Sequence, residues 1–131
     1  MKKVRMEAWE FYQKWRKQKT YSPALKTEVR VSLKGWAHLS GSDKVRRKRT
    51  YQDAYRRYKL LPYAKEIIET STTIQNITEK RKRKFYALEA IIKVSYNDKK
   101  ENRKIKVILI EDQLGNKIFY SVMDRRIKNA Y

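Results

Sequence analysis

Apolar residues recur at two different periods along this chain, and the change of period divides it. Near the start Val4, Ala8, Phe11, Tyr12 and Trp15 fall three or four apart while Lys14, Arg16, Lys17 and Lys19 take other faces, so the spacing predicts an amphipathic helix. Residues 20–23 end it. Val29, Val31 and Leu33 then alternate with Arg30 and Ser32, which predicts a short extended segment leading into one or two helical turns at 34–39. Gly41 and Ser42 break the chain before Tyr51, Ala54, Tyr55, Tyr58 and Leu61 return to helical spacing. Proline suits the first turn of a helix, so Pro62 is expected to open a separate helix that carries Ala64, Ile67 and Ile68 inward.

From Phe85 onward the period is two. Tyr86, Leu88, Ala90, Ile92, Val94 and Tyr96 face one way, with Phe85, Ala87, Glu89, Ile91, Lys93 and Ser95 opposite, which predicts a long strand. A polar turn at 97–102, a β-branched strand at 105–110, a turn at Leu114, Gly115 and Asn116, and a third strand at 118–123 complete an antiparallel meander. The expected fold class is therefore α+β, with N-terminal helices packed on one face of a C-terminal antiparallel sheet. At 131 residues with 40% hydrophobic positions, the chain is expected to form one compact unit, in which a basic N-terminal helix (1–28) precedes an α+β domain (29–131).

Charge narrows the range of functions. Lysine and arginine number 34 against 14 acidic residues, a net +20, where a small soluble domain usually carries roughly 2 to 8 units. Such a field repels itself, but it concentrates polyanions and speeds their capture, and phosphate backbones are the commonest polyanions available. The cations cluster at 14–19, at 44–49 continuing through Arg56 and Arg57, at 80–84 and at 99–106, and aromatic residues interleave with the second and third clusters. Lys34, Lys48, Arg56, Arg57, Lys80, Arg81, Lys82, Arg83, Lys84, Lys104 and Lys106 are the candidate phosphate contacts. Exposed rings among them would stack unpaired bases, although at helical spacing Tyr51, Tyr55 and Tyr58 equally form a core stripe. RNA, single-stranded or looped, is the expected partner.

Other classes are set aside by composition. With no cysteine and a single histidine, His38, neither a disulfide framework nor a thiolate or histidine-rich metal centre is available, so no metal and no cofactor are expected. Glu7 and Glu10 interrupt the start before any signal-like apolar stretch, and the longest apolar run, 107–110, is far too short for a membrane span. The expected site of action is cytoplasmic, with no membrane partner.

The stretch from Val29 to Leu39 contains Trp36-Ala37-His38 and precedes a basic helix, a Leu61-Pro62 step, a strand meander and Phe119-Tyr120-Ser121-Val122. This order resembles the metal-independent RNase superfamily of barnase, EndoU, the colicin tRNases and RelE-type toxins, particularly the versions attached to phage and polymorphic-toxin proteins. The match spans residues 29 to 123. The resemblance implies that His38, a basic residue among Arg46, Arg47 and Arg49, and Ser121 with Tyr120 occupy active-site positions. It also leaves room for an acidic immunity or antitoxin protein as partner.

Cleaving RNA without metal needs a base for the 2′-OH, a donor for the leaving 5′-oxygen and positive charge on the crowded phosphate. His38 titrates near neutrality and Glu89 sits on the more polar face of the long strand, so either suits proton transfer. Arg46, Arg47 and Arg49 would clamp the phosphate, with Ser121 and Tyr120 bonding its oxygens, to yield a 2′,3′-cyclic phosphate. Plainer roles are open for each: His38 and Trp36 as packed helix residues, Ser121 as an ordinary strand residue and Glu89 as an ion-pair partner. The expected function is endoribonuclease. The alternatives are a non-catalytic nucleic-acid-binding protein and an accessory protein docking on an acidic partner.

Overall fold

The computed structural model describes residues 2–40, 51–96 and 99–126. Helix α1 (Lys2–Arg16) buries Ala8, Tyr12 and Trp15 and lays Val4 and Phe11 against the same core, the stripe its spacing predicts. Its end is tied to the first strand, because the Trp15 indole Nε1 donates to the Thr20 hydroxyl at 2.8 Å in a buried setting. A small antiparallel hairpin comes next, β1 (Thr20–Ser22) and β2 (Thr27–Arg30). The Ser22 hydroxyl accepts from the Leu25 amide inside its turn, and Lys26 takes a left-handed conformation at φ 55°.

Ser32 caps helix α2 (Leu33–Ser40), its hydroxyl accepting from the Gly35 amide at 3.2 Å. The same residue's carbonyl accepts from the Tyr12 hydroxyl, so α1 and the start of α2 are joined. Gly35 lets α2 lie against the sheet. A Cβ at this position would sit 2.6 Å from the Tyr12 hydroxyl oxygen and 2.8 Å from the Phe119 carbonyl oxygen. The ring of Trp36 packs among Trp9, Tyr12 and Tyr58, stacking on Tyr58 at 5.5 Å between centroids, a position in the helix layer.

The helix expected to begin at Pro62 does not exist as a separate element. One continuous helix, α3, runs Tyr51–Thr70 with Pro62 inside it. Leu60, Leu61, Ala64, Ile67 and Ile68 keep one buried stripe across the proline, and Pro62 itself is on the exposed side. Pro62 removes the amide that would bond the Tyr58 carbonyl, and the packing of this stripe outweighs that loss.

Four further strands follow among the described residues: β3 (Asn76–Lys80), β4 (Arg83–Tyr96), β5 (Lys99–Glu111) and β6 (Lys117–Arg126). The last three form the antiparallel meander expected from the period-two pattern. Between β5 and β6 the Asp112 carboxylate accepts from the amides of Leu114 and Asn116, and Gly115 takes φ 87°. The sheet is larger than the meander, in the order β1-β2-β6-β5-β4-β3, and it is mixed, because β2 runs parallel to β6 with Val29 opposite Lys117.

The fold is α+β, with the three described helices on one face of the sheet. Tyr86, Leu88, Val94, Ile105, Val107, Leu109, Phe119 and Val122 make the sheet's share of the core. Trp15 and Tyr12 both reach Phe119, so α1 shares this core with the segment from residue 29 onward. At the far end of β5 and β6 the inward face carries buried Arg103, 3.4 Å from the Asp124 carboxylate and 3.5 Å from that of Glu101. A buried guanidinium is tolerable only with such company.

Candidate nucleic-acid interface

Strand alternation gives the sheet a second face, opposite the helices. On β4 it presents Arg83, Phe85, Ala87, Glu89, Ile91 and Lys93. On β5 it presents Lys104, Lys106, Ile108 and Ile110, in register with Ile91, Glu89, Ala87 and Phe85 respectively. On β6 it presents Ile118, Tyr120, Met123 and Arg125, the last two opposite Lys106 and Lys104. Among the described residues no helix covers this face. It has an apolar centre and a cationic side.

The centre is organised by a bulge. In the β5–β6 ladder Ile108 pairs with Ser121 and Leu109 with Phe119, which leaves Tyr120 as the extra residue. Bulges re-aim side chains, and here Phe119 stays in the core while Tyr120 meets Phe85 across β5. Their rings lie 5.7 Å apart at 70°, an edge-to-face pair. Phe85 and Tyr120 are both half-buried, so each ring keeps surface for a ligand.

Farther along the same face stand cations that are incompletely neutralised. Lys104 bonds the Glu89 carboxylate at 3.0 Å, which gives that mostly buried acid its counter-charge. Lys106 stands opposite Glu89 in register, and Lys93 and Arg125 flank Lys104 on the neighbouring strands. Among the described residues four cations therefore share this stretch of the face with one carboxylate, a charge balance that suits a row of phosphates.

The other side of β6 is a different environment. Arg57 on α3 donates from Nη1 to the Ser121 hydroxyl and to the Val122 carbonyl at 2.9 Å, while its Nε holds Asp53 at 3.2 Å. Ser121 is 3% exposed and its hydroxyl is engaged from the helix side. Arg57 is thereby a tie between α3 and the bulge. At the end of the sheet the Glu111 carboxylate accepts from the Tyr86 hydroxyl at 2.9 Å and from Lys117 at 2.6 Å. The Lys117 hydrogen bond, then that of Tyr86, holds Glu111 below the usual carboxylate range, and burial followed by the same carboxylate pushes the Tyr86 phenol up.

The sequence-predicted site residues thus fall on two sides of the sheet. Glu89, Tyr120, Lys104 and Lys106 come together on the open face, whereas Ser121 and Arg57 meet on the helix side. His38 belongs to α2, with its side chain outside the described residues, and Arg46, Arg47, Lys48 and Arg49 lie outside them altogether. Lys34 and Arg56 are exposed on α2 and α3, and Lys80, Arg81, Lys82, Arg83 and Lys84 are exposed at the β3–β4 hairpin. Sequence reasoning passed over Lys93, Met123 and Arg125 as site residues. For Lys93 the signal was present, since it shares the parity of Phe85; for Met123 and Arg125 the bulge shifts the count. No group of three potential metal ligands occurs among the described residues, and no described helix is long and apolar enough to cross a membrane. Comparison of the chain with protein-family models, with curated proteins and with solved structures finds no match.

Proposed function

We propose that this protein binds single-stranded or looped RNA on the open face of its sheet. The observation that carries the reading is the Phe85–Tyr120 pair, held half-exposed by a bulge on a face that no described helix covers, with Lys106, Lys104, Arg125 and Lys93 spaced progressively farther along the same face. Cations take the phosphates without reading sequence, and rings take the unpaired bases. Each stacked base contributes about 1 to 3 kcal/mol and places few demands on base identity. The test is equilibrium binding of an unstructured RNA oligonucleotide to wild type, Tyr120→Ala and Tyr120→Phe. The alanine variant should bind about 5- to 150-fold more weakly and the phenylalanine variant close to wild type. Unchanged binding by Tyr120→Ala would remove the open face as the site.

A second reading, cleavage of that RNA, is favoured by the company Glu89 keeps. A carboxylate opposite Lys106 and bonded to Lys104, on the same face as the Tyr120 phenol, offers a proton acceptor, a proton donor and positive charge at one surface. Cleavage by attack of the 2′-OH would leave 2′,3′-cyclic phosphate ends in the presence of EDTA. Glu89→Gln then lowers the single-turnover rate by about 10² to 10⁴ and hardly changes binding of a 2′-deoxy analogue. If total RNA stays intact with the wild-type protein, the binding reading alone stands.

A further inference from the structure

Strand alternation sorts the charge of β3 to β6 by face. Glu79 stands opposite Lys84 on the reverse side, the parity of Tyr86. Glu101 pairs with core Val94, Asp124 pairs with core Ile105, and Glu111 bonds the Tyr86 hydroxyl, so these acids also face the helix side. Asp112 is folded into its own turn, where it accepts from the amides of Leu114 and Asn116 and from the Asn116 side chain. Among the described residues of these strands the open face therefore keeps one acid, Glu89, which bonds Lys104.

Cations hold that face at both ends. β4 pairs with β5 only from Phe85, opposite Ile110, so residues 79–84 form a two-stranded ribbon beyond that ladder. On the ribbon, exposed Lys80 and Arg83 stand opposite each other and share the face of Phe85, and Arg81-Lys82 closes the turn. The turn holds its cations against local preference. Arg81 and Lys82 are both left-handed, φ 50° and 65°, where Asn-Gly is favoured, and the opposed like charges of Lys80 and Arg83 disfavour the ladder. Local rules broken together in one short element point to function. At the other end Lys93 and, opposite Ser95, Lys100 continue the open face, both exposed. Between the two ends come the ring pair, then Lys106, then Lys104 and Arg125. The row across the strands is different: Arg30, Ile118, Ile110, Phe85 and Thr78 stand side by side, and of these only Arg30 is charged. Charge thus runs along the strands and not across them.

We infer that one RNA strand lies along β4 and β5, from Lys80 and Arg83 on the ribbon, over the Phe85–Tyr120 pair, to Lys93 and Lys100. Arg83 and Lys93 stand about 33 Å apart at about 3.3 Å per residue, room for about five or six nucleotides of extended single strand. This rests on the RNA-binding reading above and narrows its ligand to RNA with an unpaired stretch of about five nucleotides or more. Bases stack near the ribbon end of the track, because Phe85 is two residues from Arg83 and eight from Lys93.

The experiment is fluorescence anisotropy with labelled oligouridylates of three, six and twelve nucleotides, against wild type and three double variants. Lys80→Gln/Arg83→Gln alters the ribbon end and Lys93→Gln/Lys100→Gln the far end, while Lys2→Gln/Lys3→Gln removes the same charge from the start of α1. The ribbon variant relieves an opposed like-charge pair, so its thermal unfolding temperature should not fall below that of wild type. Wild type should gain affinity steeply from three nucleotides to six and little more at twelve. With the six-mer each end variant should lose on the order of tenfold at 0.1 M salt, with the slope of log K against log salt shallower by about 1.4, and the α1 variant should stay near wild type. The three-mer separates the two ends. Held on the rings, it reaches Arg83 but not Lys93, so only the ribbon variant should weaken it. A far-end variant that binds the six-mer like wild type, a ribbon variant with no loss at either length, an α1 variant that loses as much as the end variants, or a three-mer that binds wild type as tightly as the six-mer would each overturn the track. In each of those cases the RNA-binding reading stands on its own test with Tyr120→Ala; wild type that binds none of the oligonucleotides overturns both.

Discussion

Gly35 marks the closest approach between the helix layer and β6. Its missing side chain is what lets the Tyr12 hydroxyl and the Phe119 carbonyl lie where a Cβ would otherwise sit. The second neighbour is backbone and cannot swing aside, so Gly35→Ala should destabilise the protein by about 1 to 3 kcal/mol, measured by urea unfolding. Glu111 offers a residue-scale test by pH. Its folded pKa is depressed, chiefly by the Lys117 hydrogen bond, so the stabilisation is present above the ordinary value of 4.5 and is lost as pH falls through the depressed value. Lys117→Met should therefore be less stable than wild type near neutrality, with the difference shrinking below pH 4.5. A difference independent of pH across that window would assign the effect of Lys117 to packing over the Tyr86 ring instead.

Elements differ in how much of themselves they write into the sequence. β4 was legible because its two faces differ: Leu88 and Val94 are buried against helices, while Ile91 and Lys93 on the alternate face are exposed. β3 left no trace, since all five of its residues are exposed and nothing imposes an alternation. β1 has three residues, too few for a period to register, and the β2–β6 pairing joins segments that local pattern cannot connect. Tyr120 was singled out from a resemblance of motifs, but its presentation depends on a bulge that shifts the register by one residue. Pro62 misled for a physical reason: the proline signal is local, and the stripe from Leu60 to Ile68 overrides it. Pro62→Ala should restore one helical hydrogen bond and stabilise the protein by about 1 to 3 kcal/mol in thermal unfolding. A loss of stability would mean that α3 relies on the proline for its fit over the sheet.

At the scale of the whole molecule, a charge of +20 is divided among surfaces with different shapes. The open sheet face is broad and carries rings, the β3–β4 ribbon is thin and carries none, and the helix surfaces add Lys34 and Arg56. Only charges that meet phosphate at the same time displace counterions. Binding of an unstructured RNA by about 4 to 6 contacts should give a slope of log K against log salt of roughly −3 to −4, well short of what the total charge would allow. Filter binding across a salt series measures it, and a slope near zero would remove electrostatics as the basis of affinity.

The parallel pairing of β2 with β6 also governs how this protein comes into being. Val29 pairs with Thr20 on one side and with distant Lys117 on the other, and the rings of Tyr12 and Trp15 reach forward to Phe119. A nascent chain can therefore pack α1 and β1 on α3 once residue 70 has been made, while β2 and the rings that meet Phe119 wait for β6. Until then the sides of Tyr12 and Trp15 that meet Phe119 stay uncovered in a strongly cationic polypeptide, whose self-repulsion discourages collapse onto itself or onto its siblings. β6 joins β2 to β5 in the sheet, so a truncation that stops before residue 117 should fail to reach the native fold, as read by near-UV circular dichroism.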